Sequence, residues 1–243
     1  MFAKRIAKEA VRLFGLDVVA FTPARHPVAR RRQLFKCTKI DLVLDVGANS
    51  GHYGEELRRE LHYKGRIVSF EPLSAAFSAL SRLALNDPTW EVFNVALGDS
   101  CVDAEINVAG NSESSSILEM LPAHLSAAPQ SAYVQKEKIS VVTLDSLRAE
   151  LLRDSNRVWL KIDTQGFEKQ VLEGAIGCLD NIHVIEMELS FIPLYRDQAL
   201  IDEIIAWLRG YHFHLTSIVP VFSDPSSGHL LQVDGLFCRE EQQ

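Results

Sequence analysis

The stretch that most constrains the fold runs from Asp41 to Gly54 and reads DLVLDVGANSGHYG. The apolar run Leu42 to Val46 is long enough for a strand and too short for a helix. Three glycines within eight residues follow, and Glu55-Glu56-Leu57-Arg58-Arg59 then favours a helix. The unit is therefore strand, tight turn, helix start. Glycine serves where backbone must adopt positive φ or approach a ligand closely, and a helix start exposes unpaired N–H groups. Such a turn predicts a cleft for a bound group.

Spacing narrows the ligand. The dinucleotide fingerprint is G-x-G-x-x-G, whereas the glycines here fall at 47, 51 and 54, with Asn49 where a second glycine would meet a pyrophosphate. The Gly-Lys-Ser/Thr of a P-loop is absent from this turn. The next apolar run, Arg66 to Phe70, ends in Glu71-Pro72, at about the interval where an acidic residue accepts hydrogen bonds from ribose hydroxyls. An adenosine ligand without a pyrophosphate fits best. Asp45, just before the first glycine, suits a positive charge on that ligand.

Further along, alternating strand and helix patterns predict a parallel sheet covered on both faces. Ser74 to Asn86 reads as a helix stopped by Asp87-Pro88, and Trp90 to Leu97 as the third strand. Residues 100–140 break the rhythm: a short strand over Val102 to Val108, then a serine-rich loop from Gly110 to Ser116 with Pro122 and Pro129, which reads as a lid or a linker. Ile139 to Val142, Val158 to Asp163 and Ile182 to Leu189 are further strands. A helix from about Gln198 to Arg209 is expected to stop at Gly210. Phe213 to Phe222 and His229 to Cys238 form a terminal hairpin around Asp224-Pro-Ser-Ser-Gly228.

DVGANSGHYG, FEP, NVALGD, TLD, LKIDTQGFE and VIEMELSFIPLY, in this order, resemble the FkbM-type family of S-adenosylmethionine-dependent O-methyltransferases. The likeness spans roughly residues 40 to 215. It implies a Rossmann-like α/β fold with a seven-stranded, mostly parallel sheet of order 3-2-1-4-5-7-6, helices on both faces and a C-terminal antiparallel hairpin. It also implies that Glu71 holds the ribose, that the glycine turn passes under the methionine part, and that the acceptor is a hydroxyl on a sugar, glycolipid, polysaccharide or polyketide-type product.

Ligands in open α/β sheets bind outside the carboxyl ends of strands where strand order reverses. That rule gathers Asp45, Gly47, Asn49, Gly51, Tyr53, Glu71, Pro72, Ala96 and Asp99 around the cofactor, with Ala96 and Asp99 near the adenine. Asp163 ends an apolar strand beside the same cleft and is the leading catalytic candidate, with Glu188 at the end of the next strand. Asp163 has open to it the roles of general base, acceptor-hydroxyl binder, ligand of a divalent cation shared with Glu188, and structural carboxylate. Oxygen ligands alone would favour Mg2+. Glu186 and Glu188 share a strand face by the period of two. Lys161 reads as charge balance or a snorkelling side chain, Glu168 as a helix-dipole charge, and Tyr195 as a wall of the acceptor pocket. Of the eight histidines, His52 and His183 are expected nearest the cleft.

With 47% hydrophobic content in 243 residues, the chain buries one core: a basic helical extension over residues 1–38 and a methyltransferase-like domain over 39–243. The net charge of −7 is uneven, since residues 1–40 hold ten Lys and Arg against two acidic residues. An acidic body argues against nonspecific nucleic-acid binding. Phe2, Ile6, Ala10, Leu13 and Phe14 recur at helical spacing among basic residues, which suits a helix packed on the sheet or peripheral contact with an anionic membrane or substrate. Four widely separated cysteines and the lack of a long apolar run point to a reducing cytoplasm. Oligomeric state stays open. The rival readings are an NAD-dependent oxidoreductase and a non-catalytic adenosyl-ligand binder.

Overall fold

The computed structural model describes residues 9, 11–152 and 157–240. Helix α1 (Pro27–Thr38) precedes β1 (Leu42–Val46), α2 (His52–Arg59), β2 (Arg66–Phe70), α3 (Ser74–Ala84) and β3 (Trp90–Phe93). Next come β4 (Ala96–Leu97), β5 (Val102–Ala109), α4 (Pro122–Ala127), β6 (Tyr133–Val142) and α5 (Leu144–Leu151). The chain finishes with β7 (Val158–Ile162), α6 (Glu168–Glu173), β8 (Ile182–Ser190), α7 (Ile201–Gly210), β9 (Phe213–Ser223) and β10 (Leu230–Arg239). The main sheet has the order β3-β2-β1-β7-β8-β10-β9. Numbered within that sheet alone, this is the expected 3-2-1-4-5-7-6. Neighbours from β3 to β8 pair in parallel, while β10 runs antiparallel to both β8 and β9.

Central strands β1 and β7 are buried along their whole length, which is why LVLDV and VWLKI read as unbroken runs. On one face Leu42, Leu44, Leu160 and Ile162 pack with Leu144, Val171 and Leu208 from α5, α6 and α7. On the other, Val43, Ile67, Trp159, Val184 and Leu236 pack with Phe35, Leu57 and Leu80 from α1, α2 and α3. Phe35 stacks on the fully buried Trp159 with ring centroids 4.2 Å apart, so α1 contributes to the core. The amphipathic pattern over Phe2, Ile6 and Ala10 lies outside the described residues; Leu13 and Phe14 are exposed. Among the described residues no helix is long and apolar enough to cross a membrane.

Four expectations change. Trp90 to Leu97 is two strands in two sheets, because the chain leaves the main sheet at Asn94, whose Nδ2 donates to the Glu71 and Pro72 carbonyls, both at 2.9 Å. Residues 100–140 are mostly regular: β5 pairs antiparallel with β6, and β4 pairs parallel to β6. Ile139 to Val142 is only the end of a ten-residue strand. Helix α7 includes Gly210, and the left-handed residue after it is His212 at φ 64°.

Candidate active site

At the switch point between β1 and β7, Gly47 takes φ 74°, and a Cβ there would stand 1.9 Å from the Asp163 carbonyl oxygen. Glycine is required on both counts. The Gly47 and Ala48 N–H groups donate to the Phe70 carbonyl at 3.1 and 3.0 Å, so β1 and β2 part just beyond and leave a cleft. Gly51 and Gly54 serve another purpose. A Cβ on Gly54 would meet the Trp90 ring at 2.1 Å, and Gly51 opens α2 at φ 95° against Leu80 and Leu83. Neither lines the cavity.

The cavity measures about 560 Å3 and continues from Glu71 to β10. At its β2 end, Glu71 accepts from the backbone N–H groups of Asn49 and Leu73, both at 2.8 Å, one on each oxygen. Burial raises its pKa to about 7 despite those bonds. Pro72, Ala96, Leu97, Ile106 and Phe167 complete an apolar slot beside it. Asn49 itself sits at φ 46°, held by its Oδ1 accepting from the Ser50 N–H at 2.7 Å. The serine-rich segment closes over this end as an ordered turn: Ser114 and Ser131 hydroxyls lie 3.0 Å apart, and Ser116 donates to the Gln165 carbonyl at 2.7 Å.

Sheet register builds the other end. Ser69, Asp45, Lys161 and Glu186 are successive cross-strand neighbours, and cross-strand neighbours point to the same face. Lys161 Nζ lies 3.3 Å from Asp45, 3.6 Å from Asp163 and 3.2 Å from the Gly47 carbonyl. Burial lowers the Lys161 pKa, but Asp45 and Asp163 outweigh it and hold the ammonium charged. Glu186 accepts from Tyr53 at 2.6 Å and Trp159 at 3.1 Å, and pairs with Arg31 at 3.2 Å. Arg31 also binds Glu56 at 2.7 Å.

One level higher stand Asp163, Glu188 and Asp234, the last being the cross-strand partner of Glu188. Gln165 ties the first two together: its Nε2 donates to Asp163 at 2.8 Å and to Glu188 at 3.0 Å. Its Oε1 accepts from Tyr195 at 2.8 Å, which fixes the orientation of the amide. Gln165 has φ 54° and Gly166 φ 99°, a left-handed pair that turns the side chain back toward β8. Glu168 Oε1 secures the turn, accepting from the Thr164 and Gly166 N–H groups at 3.0 Å. Gln232 Nε2 donates to Glu188 at 3.0 Å. Burial first, then the charges of Asp163 and Asp234, raise the Glu188 pKa well above the ordinary range. Asp234 is pushed up to about 7 by burial and by Glu186 and Asp163.

Of the residues expected at the cofactor, Gly47, Asn49, Tyr53, Glu71, Pro72 and Ala96 line the cavity, as do Asp163 and Glu188. Three do not. Asp45 is 0% exposed and spent on Lys161 and Ser69, Gly51 packs on α3, and Asp99 is exposed, accepting from its neighbour Ser100. Tyr195 lies beneath the wall and acts through Gln165. His183 sits at the start of β8, far from the strand ends, while His52 and His124 line the cavity. The position between Asp163 and Glu188, for which a shared divalent cation was one of the open readings, is taken by the Gln165 amide, a donor that repels a cation. Among the described residues no group of three His, Cys, Asp or Glu is arranged to hold a metal ion. Gln165, Gln232 and Asp234 were not singled out from the sequence. The period of two along the last strand was the available signal for Gln232 and Asp234.

The methyltransferase FkbM domain matches residues 45–215. Among solved structures, the FkbM methyltransferase from Methylobacillus flagellatus KT is similar over 81% of this chain at 12% identity and a TM-score of 0.51, and the match spans 43% of that protein's length. An rRNA methylase from Streptococcus thermophilus is similar over 89% of this chain and 98% of its own, at 10% identity and a TM-score of 0.47. A precorrin-6y C5,15-methyltransferase from Geobacter metallireducens GS-15 is similar over 88% and 89%, at 11% identity and a TM-score of 0.43. No curated protein matches.

Proposed function

The chain belongs to the FkbM methyltransferase family, and on that premise we propose that it transfers a methyl group from S-adenosylmethionine to a hydroxyl of a sugar-like or polyketide-type acceptor. The observation that carries this reading is the joining of two chemistries in one cavity. Glu71 and an apolar slot occupy one end, and Asp163, Gln165 and Glu188 the other.

The residues present suit the cofactor. Each Glu71 oxygen accepts one backbone N–H, and a carboxylate oxygen has capacity for a second donor such as a ribose hydroxyl. Leu97, Ile106 and Phe167 offer an adenine ring apolar contact. When bound, S-adenosylmethionine supplies an electrophilic methyl carbon on a sulfonium, open to in-line attack by an oxygen nucleophile.

This chain's own groups then handle the acceptor. Asp163 keeps one oxygen on the Gln165 amide and the other near Lys161, so its orientation is set before an acceptor arrives. In this reading it receives the hydroxyl proton, a contribution of roughly 10²–10⁴-fold. Glu188, held by two amides, binds a second hydroxyl and fixes the angle of approach. Orientation of this kind is worth about 7–11 kcal/mol of barrier. The serine-rich turn over residues 111–115 forms part of the wall of the site.

The test is transfer of labelled methyl to a panel of glycosides, polyols and hydroxylated polyketide fragments, with the products analysed for O-methyl ethers. Asp163→Asn should lower kcat by about 10²-fold or more. Turnover within threefold of the native enzyme, or products methylated on nitrogen or carbon, would reject the assignment.

A further inference from the structure

A run of large apolar side chains ahead of α1 has no place in the core. From Leu13 to Phe21, six such residues fall within nine positions: Leu13 and Phe14 are 86% and 82% exposed, and Leu16, Val18, Val19 and Phe21 47–63%. Single apolar residues scattered over a surface need no explanation, whereas a contiguous exposed run marks an interaction site. Its surroundings are basic. From Val18 to Ile40 the chain has six Lys and Arg and no Asp or Glu. The one carboxylate inside the run, Asp17, lies 3.4 Å from Arg12. Arg25 is exposed. Arg30 donates to the Pro23 carbonyl at 3.0 Å, and the Arg32 guanidinium lies over the Phe21 ring, 5.2 Å from its centroid. Those partners are neutral and cancel neither charge.

We propose that residues 12–25 dock on an anionic lipid surface, with the apolar side chains entering the boundary between headgroups and acyl chains and the arginines meeting lipid phosphates. Interfacial binding sums these two attractions, buried apolar area and opposite charge, and the segment offers both. Charge also sets the orientation. Residues 1–40 carry a net +8 and the remainder −15, so an anionic surface attracts this end of the molecule and repels the body. Depth follows from the backbone. Residues 16–21 have no regular secondary structure, and N–H and C=O groups left open in this way stay at headgroup level, outside the hydrocarbon. The segment is fixed to the rest of the fold through Phe21, whose ring lies 4.7 Å from that of His26 and beneath Arg32 of α1. The next residue back on α1, Arg31, lines the cavity. Docking therefore holds the α1 side of the cavity close to the lipid surface.

The test uses the full chain and needs neither cofactor nor acceptor. Protein is sedimented with extruded vesicles of phosphatidylcholine alone and of phosphatidylcholine containing about 30% phosphatidylglycerol, at about 0.1 M salt. Partitioning onto the anionic vesicles should exceed that onto the neutral ones by about tenfold or more and weaken at high salt. Phe14→Asp combined with Leu16→Asp should lower anionic partitioning by about tenfold or more, and Arg25→Glu by about fivefold. All three side chains are exposed, so an unchanged thermal midpoint is expected and shows that the variants fold. In Phe14→Trp, the added indole emission should shift to the blue on the anionic vesicles, which separates insertion from mere electrostatic adsorption. No sedimentation with either vesicle, equal sedimentation with both, partitioning untouched by the aspartate substitutions, or an indole emission that does not move would each overturn the inference. So would a native protein that fails to bind vesicles but elutes as a dimer that the aspartate substitutions split, since the run would then join two copies of this chain.

Discussion

Replacing Gln165 by leucine removes the amide that joins the catalytic wall to the core while keeping the side chain's bulk. Two hydrogen bonds to carboxylates are lost, at 2.8 Å to Asp163 and 3.0 Å to Glu188, together with the one accepted from Tyr195 at 2.8 Å. Hydrogen bonds to charged groups are worth about 1.5–3 kcal/mol each. The Tyr195 hydroxyl keeps an alternative acceptor in the Ser114 carbonyl at 3.3 Å, and Glu188 keeps Gln232, so part of the loss is recovered. The net cost at pH 8 should be about 2–4 kcal/mol. At pH 5 it should be smaller, because burial and the charges of Asp163 and Asp234 favour the protonated form of Glu188, and protonation relieves its repulsion of them. Urea denaturation at the two pH values measures both numbers. A loss below about 0.5 kcal/mol at pH 8 would mean that the amide carries no structural share of the site. An equal loss at both pH values would refute the charge argument. Turnover should drop by about 10²-fold, as expected when a catalytic group is displaced by an ångström.

Two further outcomes follow from the same geometry. Gly47→Ala must reconcile φ 74° with a Cβ 1.9 Å from the Asp163 carbonyl, so β1 and β7 are forced apart; thermal denaturation should show a large loss of stability and calorimetry no S-adenosylmethionine binding, and near-native values for both would refute the packing described here. Glu71, Glu168 and Asp234 each have a folded pKa raised to about 7, by burial in every case. A carboxyl that binds its proton more tightly when folded stabilises the fold below its unfolded pKa and loses that contribution as pH rises through the folded value. These three therefore make the protein less stable at pH 8 than at pH 5, and Asp234→Asn should flatten the dependence of Tm on pH; a slope unchanged in that variant would contradict the assignment.

What the sequence displays depends on how far each feature rests on local chemistry. The strand, turn and helix over 41–54 are legible because a strand buried on both faces leaves an unbroken apolar run, and Gly47 is legible because positive φ excludes most other residues. Asp163 and Glu188 are legible as carboxylates ending such runs. Gly51 and Gly54 mislead for a physical reason: a glycine that makes room for Trp90 looks the same as one that makes room for a ligand. Asp234 enters the site only through the register that sets it opposite Glu188, on a strand interrupted by bulges, and no local pattern fixes that pairing. Among Arg30, Arg31 and Arg32, only the phase of α1 decides that Arg31 is buried. Asn94 ends β3 through its bonds to the carbonyls after β2, a tertiary contact that strand propensity over Trp90 to Leu97 does not reveal.

The most direct test of the account is calorimetric titration of S-adenosylmethionine into the native protein and into Glu71→Ala. Glu71 is the carboxylate assigned to the ribose, and it also fixes the Asn49 and Leu73 N–H groups that shape the cleft. The account predicts micromolar binding by the native protein and none measurable in the variant. Absence of binding by the native protein, or an affinity unchanged by removing the Glu71 side chain, would contradict it.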